Sequence, residues 1–592
     1  MKKACILLGI IIISLPLFSQ YYLRGEIKDE KGKPIFGAKI YLQTKGALDF
    51  SSGDDGAFGL PTPKAIDTLT VIMQGFEPFK GGVSTQQYQK IVLKMYKGTS
   101  EDMLNRLNSF TKNLGIAKDL VTKTETGDSY NNLIENDFVS AKTNPETGFA
   151  LSIDRASYSN VRRFIVNKWK CPKEAVRIEQ MLNYFSLKPS TINKTYLQNA
   201  NNNAEFQFNS EVTNCPWEEK NKLLFINLQA PKLNLDTLPP SNLVFLIDVS
   251  GSMDEPNRLP LLQTAFKMLV ANIRDTDRIS IVTYGGGVRV ALYPTSGAEK
   301  KKINEVIDEL SANGDTPGSG AIKMAYTIAK SVFKKEGNNR VIIATDGDFN
   351  VGQNNEDELE EMIAKQKQFG ISLTCLGVGM GNFRDSRLEI LAKMGNGNYA
   401  YLDNVGEAEK VLVTEFTKTL YNVAEDAYLN ITFNPDLVNK YRLIGFDNMR
   451  DAIKDSSKKI EGGQVGSGHS LMAIFEIEPA NKNASILSNY ATLNLQYKRP
   501  RNKELVQNSF IIPNNQIDLM KADSVYRFAT SVTMFASLLR QSDYAKNYNF
   551  DTVLQLAQTA ANTSNFSQKE FLTLIDKADV IYNPLKKRKK EK

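Results

Sequence analysis

Two carboxylates and three hydroxyls in this 592-residue chain occur beside apolar segments, where they could bind a cation together. The stretch Leu243–Met253, LVFLIDVSGSM, runs apolar for five residues and then places polar residues at alternate positions. Two later stretches, GDTPGSGAI and ATDGDFNVG, present one more hydroxyl and one more carboxylate. The candidate metal ligands are Asp248, Ser250, Ser252, Thr316 and Asp346.

All five candidate ligands offer oxygen atoms, which predicts a hard divalent cation. Mg²⁺, Mn²⁺ and Ca²⁺ favour oxygen ligands, whereas zinc sites in proteins are built mainly from sulfur and nitrogen. We expect Mg²⁺ first, with Mn²⁺ or Ca²⁺ as alternatives. Hydroxyls carry no charge, and two carboxylates of which at least one acts through a bound water under-neutralise the cation. An open coordination position would therefore attract an acidic residue of a partner protein.

The segment 236–415 supplies the elements that would bring these residues together. Apolar strands such as NLVFLIDVS and RVIIATDGD alternate there with amphipathic helical stretches, which indicates a mostly parallel sheet covered on both faces. In such doubly wound, Rossmann-like α/β sheets, ligands bind beyond the carboxyl ends of the strands. We expect the site at that edge of the sheet.

The D-x-S-x-S pattern, followed by a separate Thr and a separate Asp, resembles the metal-ion-dependent adhesion site (MIDAS) of the von Willebrand factor type A (VWFA) family. The resemblance implies that 236–415 is a VWFA domain with a cation-dependent protein-binding site. Stretches such as SIDRASYSNVRRFI, AVRIEQMLNYF and GSGHSLMAIFEIEP resemble the bacterial YfbK-type proteins over 135–588. Arg155 and Asp315 differ from the residues that these resemblances lead us to expect.

The segments on either side of 236–415 contain strands outside the α/β alternation. We expect the N-terminal flank 136–235 and the YfbK-type C-terminal domain 416–588 to share one β-sandwich around the α/β domain. Apolar residues at helical spacing near the C-terminus predict a small helical unit packed on that sandwich. The alternative is a helix that lies on a membrane surface.

Residues 20–97 contain short strands punctuated by Gly and Pro, which predict a small N-terminal β-sandwich. The spacing resembles a carboxypeptidase regulatory-like domain, and the resemblance implies a transthyretin-like or immunoglobulin-like fold. The positions that carry the resemblance are Gly25, Gly32, Pro34, Gly37, Ala38, Asp55, Gly56, Phe58, Gly75 and Phe76. The segment 98–135 is rich in Asn, Lys, Thr, Asp and Ser and is expected to be a linker.

The N-terminus has the layout of a secretory signal, with lysines before an apolar run of about 15 residues that is too short to span a bilayer. We expect 1–19 to be a signal peptide and the protein to be exported to the periplasm, the outer envelope or the cell exterior. A retained anchor is the alternative.

The formal charge of +7 does not indicate nucleic-acid binding. Lys2 and Lys3 leave with the signal, and the tail KKRKKEK carries most of the remaining excess, so the folded body is nearly neutral. We expect the tail, with its end at 589–592, to be solvated. Peripheral contact with anionic lipid or polysaccharide of the envelope is the alternative.

The cysteines and the histidine do not indicate a second functional site besides the one built from oxygen ligands. Cys171 and Cys215 could pair under oxidising conditions, whereas Cys375 lies in an apolar run and is expected to be a buried thiol. The single histidine, His469, is expected to be a structural hydrogen-bonding residue. A zinc hydrolase site and a Ser-His-Asp triad are therefore poorly supported.

Two function classes remain. The first is a non-enzymatic protein of the cell envelope that binds a partner through the metal site. The second is a hydrolase, or an accessory subunit of an envelope enzyme complex. We prefer the first because the sequence contains no nucleotide-binding loop and export would separate the protein from cytoplasmic ATP.

Overall fold

The structure is a computed structural model that describes residues 21–583 apart from internal gaps. The gaps are 36, 47–48, 54, 74–75, 95–120, 124–127, 132–134, 152–153, 191–196, 199–204, 235–237, 315–317, 348–355, 381–384, 416–419, 447–461, 481–488 and 501. The described chain forms two compact units, one containing 21–94 and the other containing 121–583. The predicted signal peptide 1–19 and tail end 589–592 lie outside the described residues.

The N-terminal unit is a sandwich of two sheets around one apolar core. Its strands are β1 (Tyr21–Asp29), β2 (Lys39–Leu42), β3 (Asp49–Ser51), β4 (Ala57–Thr62), β5 (Ile66–Ile72), β6 (Phe79–Ser84) and β7 (Gln89–Leu93). One sheet has the order β4-β1-β7 and the other β3-β2-β5-β6. Alternate residues such as Leu23 and Ile27 of β1 meet Leu69 and Val71 of β5 in the core, as the period of two in a strand requires. The predicted N-terminal β-sandwich is confirmed.

A short hairpin opens the second unit within the predicted linker 98–135. β8 (Val121–Lys123) pairs with β9 (Ser129–Asn131), and Asp128 and Tyr130 are buried. Both side chains accept hydrogen bonds from Arg163, at 2.6 and 2.8 Å. This end of the segment therefore differs from the expected linker, because a buried arginine holds it in place.

Strands from both sides of the α/β segment build one sandwich of two sheets. The first sheet contains β10 (Val139–Ser140), β13 (Gln207–Asn214), β14 (Lys222–Gln229), β22 (Val438–Ile444), β24 (Ser470–Pro479) and β27 (Gln516–Ile517), in the order β10-β22-β24-β14-β13-β27. The second contains β11 (Glu146–Ala150), β12 (Leu197–Gln198), β21 (Asn422–Phe433), β25 (Asn489–Lys498) and β26 (Leu505–Pro513), in the order β11-β21-β25-β26-β12, and β23 (Gly463–Gly466) pairs with β21.

The pairings confirm the predicted shared sandwich. β14 pairs antiparallel with β24, and β11 pairs antiparallel with β21, so each sheet joins chain from before and after the α/β segment. Leu224 and Ile226 of β14 lie in one core cluster with Leu429 and Ile431 of β21. In the described parts of the two flanks, neither contains a complete sheet of its own.

The α/β domain between the flanks carries the candidate site. Its strands are β15 (Ser241–Asp248), β16 (Arg278–Tyr284), β17 (Val288–Ser296), β18 (Asn338–Thr345), β19 (Ile371–Gly377) and β20 (Tyr399–Tyr401), in the order β17-β16-β15-β18-β19-β20. Neighbours are parallel except β16 and β17. Its helices are α3 (Leu259–Asn272), α4 (Lys300–Asp308), α5 (Gly318–Ser331), α6 (Glu356–Phe369), α7 (Asp385–Met394) and α8 (Val405–Glu409), numbered after two helices of the N-terminal flank.

The central strand of this domain is buried on both faces. Phe245 of β15 packs with Phe266 of α3 in one core cluster, whereas Leu246 packs with Ala325 of α5 in another. Successive side chains of a strand point to opposite faces of its sheet, so the helices cover both faces. The predicted doubly wound α/β fold is confirmed.

Helices from both flanks share a further core against the sandwich. They are α1 (Ala156–Val166), α2 (Ile178–Tyr184), α9 (Ser524–Arg540), α10 (Phe550–Gln558) and α11 (Phe566–Tyr582). Phe528 and Phe571 of the C-terminal helices pack there with Phe225 of β14, which confirms that their apolar stripe is core. Among the helices of the described residues, none has both the length and the apolar character needed to cross a membrane.

Shorter turns complete the described elements. They are the 3₁₀ turns Gln43–Lys45, Lys173–Ala175, Gly251–Met253 and Leu519–Lys521 and the π-helical turn Lys410–Thr414. Cys171, Cys215 and Cys375 are all buried and free. Cys171 and Cys215 therefore do not form the disulfide that the sequence left open, and burial raises the pKa of the Cys171 thiol to about 12.

Candidate metal centre

Asp248 ends the central strand β15, and its side chain is fully buried. One carboxylate oxygen, Oδ1, accepts a hydrogen bond from the backbone N–H of Ser250 at 2.9 Å. The other, Oδ2, accepts from the hydroxyl of Thr345 at 2.8 Å and from that of Tyr284 at 3.1 Å. Three donors thus fix the orientation of this carboxylate, and a cation reached through bound water would not require them to move.

The two hydroxyl donors to Asp248 were missed by the sequence reasoning. Tyr284 and Thr345 are the last residues of β16 and β18, the strands on either side of β15. In parallel strands the carboxyl ends meet at one edge, and Tyr284 stands directly opposite Asp248 in the register. A polar last residue on each apolar strand was the signal available in the sequence.

The carboxyl of Asp248 has a perturbed acidity. Burial raises its pKa above the ordinary value, and the nearby charge of Asp346 raises it further. Hydrogen bonds from Ser250 and Thr345 oppose these effects. A bound cation would favour the charged form, because an opposite charge lowers the pKa of a carboxyl group.

Ser250 and Ser252 place two hydroxyl oxygens side by side at the start of the 3₁₀ turn Gly251–Met253. Their Oγ atoms are hydrogen-bonded to each other at 3.1 Å, and either hydroxyl can be the donor. For bonds of about 2.1 Å, neighbouring ligand oxygens of an octahedral Mg²⁺ lie about 3.0 Å apart. The spacing of these two hydroxyls therefore fits two adjacent positions of such a cation. Ser250 is buried and Ser252 is exposed, so the pair spans the boundary with solvent.

Backbone at Gly285 and Gly314 lies in close contact with the loop that carries Ser250 and Ser252. Gly285 has a φ of +142°, and a Cβ there would lie about 2.5 Å from the backbone of Val249 and Ser250. On the other side, the Gly314 carbonyl accepts a hydrogen bond from the N–H of Gly251 at 3.0 Å. The glycine at 285 thus permits a close backbone contact that a side chain would prevent.

Asp346 lies immediately after β18 and is nearly buried. Its Oδ2 lies 3.2 Å from Nη1 of Arg258, the residue that precedes α3. The same guanidinium donates to the carbonyl oxygen of Ser252 through Nη1, and through Nη2 to that of Met380 at 2.9 Å. Arg258 therefore connects both halves of the site, and nothing in its loop sequence indicated this role.

The structure brings together Asp248, Ser250, Ser252 and Asp346 at the carboxyl edge of the sheet. Thr316 lies outside the described residues, as does Asp315, so its role as a ligand stays a prediction. The donor set is composed of carboxylate and hydroxyl oxygens, which suits a hard divalent cation. Ser250 and Ser252 could contact such a cation directly, with the two carboxylates behind them.

His469 and Arg155 both have hydrogen-bond partners in the structure. Nδ1 of His469 accepts a hydrogen bond from the backbone N–H of Gly466 at 3.3 Å, which confirms a structural hydrogen-bonding role. Arg155, which differs from the family expectation, donates through Nη1 to both carboxylate oxygens of Glu415, at 2.8 and 2.9 Å.

Comparison with known proteins gives three family matches along the chain. The von Willebrand factor type A domain matches 242–414, a family described as von Willebrand factor matches 124–225, and the C-terminal domain of the uncharacterized protein YfbK matches 418–581. The three matches cover the α/β domain and both of its flanks.

Whole proteins similar to this chain include the uncharacterized protein YfbK of Escherichia coli K12. It is 36% identical over 470 residues, which cover 76% of this chain and 81% of that protein. Inter-alpha-trypsin inhibitor heavy chain H2 of Mus musculus is 28% identical over 225 residues, covering 36% of this chain but 22% of that protein. A solved von Willebrand factor type A structure from Catenulispora acidiphila has 15% identity and a TM-score of 0.40, covering 64% of this chain and 91% of that one. The chain belongs to the YfbK family, and its central α/β domain is a von Willebrand factor type A domain.

Proposed function

We propose that this protein is an exported, non-enzymatic protein of the cell envelope that binds a partner protein through a divalent cation. The proposed site is the carboxyl edge of the α/β sheet. The observation that carries the proposal is the 3.1 Å spacing of the Ser250 and Ser252 hydroxyl oxygens beside the buried, oriented carboxylate of Asp248. Export rests on the signal-like layout of residues 1–19.

The roles of the ligands follow from their environments. The hydroxyls of Ser250, Ser252 and Thr316 would contact the cation, Mg²⁺ first, with Mn²⁺ or Ca²⁺ as alternatives. Asp248 and Asp346 would hold it largely through bound water, because their oxygens already accept hydrogen bonds or pair with Arg258. Mg²⁺ commonly keeps several waters in protein sites.

The partner supplies the missing negative charge. When bound, the cation offers a positive charge with a free coordination position. Two carboxylates balance it only formally, and one of them is shared with a guanidinium. An Asp or Glu of a partner protein would complete the coordination. The exposed hydroxyl of Ser252 lies on the side from which such a residue could approach.

Calorimetry tests the proposal directly. Wild-type protein is titrated with Mg²⁺, Mn²⁺ and Ca²⁺, beside Asp248→Ala and the control Asp254→Ala, which removes an exposed carboxylate two residues beyond Ser252. We expect Asp248→Ala to abolish binding and the control to retain it. Capture of envelope proteins, with and without EDTA, then tests whether a partner depends on the cation.

Two results would contradict the proposal. Equal cation binding by wild type and Asp248→Ala, with partner capture indifferent to EDTA, would place the functional surface elsewhere. Hydrolysis of a substrate by the purified wild-type protein, lost in Asp248→Ala, would instead support the enzyme class.

A further inference from the structure

Arg258 lies in the candidate metal centre although a guanidinium cannot itself bind a cation. Its guanidinium contacts three loops at once: Asp346 after β18, the carbonyl of Ser252, and the carbonyl of Met380 after β19. Its side chain is 15% exposed, so the charge lies within the centre and not on a solvated surface. The loops around the site therefore hold this arginine in one place.

The loop after β19 is shaped to receive the arginine side chain. Gly379 has a φ of +79°, and a Cβ there would lie 2.6 Å from Nε and 3.0 Å from Cγ of Arg258. A larger residue at 379 would push the side chain out of its place. Nε is buried and has no hydrogen-bond partner among the described residues. An unpaired buried donor costs free energy, so the position is maintained by the contacts of the two terminal nitrogens.

The carboxylate of Asp346 would interact with both Arg258 and the proposed cation. The Oδ2 atom lies 3.2 Å from Nη1 of Arg258, and the same side chain is a proposed holder of the cation. A guanidinium and a divalent cation repel each other at short range, most strongly where water is excluded. Cation binding must therefore weaken or displace the contact between Arg258 and Asp346.

We propose that Arg258 is the counter-ion of Asp346 in the cation-free centre and that it sets cation affinity by competing for this carboxylate. The inference rests on the proposed function, because it concerns the same site. It makes Arg258 a positioning residue that acts through Asp346. Its charge keeps the carboxylate in place without a cation and lowers the affinity for one.

Substitutions that separate charge from shape test this role in the full chain. Arg258→Gln removes the charge and keeps a hydrogen-bonding side chain, whereas Arg258→Lys keeps the charge. The control Lys267→Gln removes a charge on the exposed face of α3, where Lys267 pairs with Asp308. By calorimetry with Mg²⁺ and Mn²⁺, we expect Arg258→Gln to bind roughly three- to tenfold more tightly than wild type. Arg258→Lys and Lys267→Gln should stay within about twofold of wild type.

A double-mutant cycle identifies Asp346 as the residue through which Arg258 acts. In an Asp346→Asn background, Arg258→Gln should no longer tighten cation binding, because the contested carboxylate is gone. Thermal unfolding of each variant checks that the fold is retained. If Arg258→Gln lowers the melting temperature, the comparison between Arg258→Lys and wild type still reports the effect of shape at constant charge.

Each remaining outcome has a distinct meaning. Wild type that binds no divalent cation would overturn both the proposed function and this inference. Wild type that binds, with Arg258→Gln binding equally or more weakly, would overturn the inference alone. Equal tightening by Arg258→Gln and Lys267→Gln would also overturn it, since the effect would then be one of net charge.

Discussion

Arg162 of helix α1 donates a hydrogen bond to Glu407 of helix α8, 245 residues further along the chain, at 2.7 Å. The same guanidinium binds Asp403 at 2.7 Å through Nε and Glu570 of helix α11 at 2.8 Å through Nη1. One buried side chain thus joins the N-terminal flank, the α/β domain and the C-terminal helices. Buried ion pairs therefore join all three parts, whereas the apolar core around the helices is formed by residues of the two flanks.

Removal of this arginine should strongly destabilise the second unit. Arg162→Met leaves the buried carboxylates of Asp403 and Glu407 without their counter-ion, which costs about 3–5 kcal/mol. The control Lys440→Met removes an exposed partner of Glu478 and should cost less than about 1 kcal/mol. Denaturant unfolding followed by circular dichroism measures both. Equal losses would mean that Arg162 is not essential to the packing of the three parts.

The shared sandwich predicts which fragments fold. In 416–588 alone, β24 lacks β14 and β21 lacks β11, so a strand edge is left open in each sheet. We expect this fragment to aggregate, whereas 236–415 should fold alone because its sheet is complete. Amide NMR spectra of the separately expressed fragments test this. Well-dispersed spectra from a monomeric 416–588 would contradict the shared sandwich.

The hydroxyl of Tyr284 should stabilise the candidate metal centre in the absence of a cation. Tyr284→Phe removes one donor to the buried carboxylate of Asp248 and should lower the free energy of unfolding by about 1–3 kcal/mol. Tyr326→Phe is the matched control, because the hydroxyl of Tyr326 is buried without a hydrogen-bond partner among the described residues. It should be neutral or slightly stabilising. The reverse order in thermal unfolding would exclude a supporting role for Tyr284.

Asp154 should make stability depend on pH. Burial and the nearby charge of Glu389 raise the pKa of its carboxyl to about 6, against the opposing effects of Lys393, Arg177 and the N–H of Tyr399. Between the ordinary value of 3.8 and about 6, the folded protein holds a proton that the unfolded chain releases. The contribution of Asp154 to the free energy of unfolding therefore falls as the pH rises through this range.

Replacement by asparagine removes this titration. The stability of Asp154→Asn relative to wild type should increase between pH 4.5 and pH 7, over the window from about 4 to 6 in which the two states differ. Asp275→Asn, which changes an exposed carboxyl, is the control and should show no such trend. A difference between Asp154→Asn and wild type that is constant over this range would refute the assignment.

The sequence predicted the location of the centre but not all of its contacts. The sequence pattern indicates parallel strands, and the carboxyl ends of parallel strands meet at one edge of the sheet. This rule was enough to place four residues together: Asp248, Ser250, Ser252 and Asp346. Arg258 could not be placed in this way, because its place depends on loops after β18 and β19 that approach it only in the folded domain. Local spacing does not show which loop side chains turn inward.

Contacts that form only in the folded domain also explain why the end of the predicted linker is ordered and buried. The composition around Asp128 is polar and indicates no core, yet Asp128 and Tyr130 are buried because Arg163 binds them. That arginine also donates to the carbonyl of Gly379 at 3.1 Å. Polar residues buried by a distant charged partner give no hydrophobic periodicity, so sequence reasoning of this kind places them in solvent.

The sandwich cannot close until strands from both flanks have been made. Asn227 of β14 lies 243 residues before Ser470 of β24, its neighbour in the sheet. At synthesis rates of about 5–20 residues per second, the chain between them takes roughly 10–50 s to make, so β14 exists for at least that time before its partner strand. The whole α/β domain lies between the two strands and can fold before they pair. Newly made chains are therefore most vulnerable to misassociation just before the sandwich closes, which is the stage at which a chaperone would be most useful.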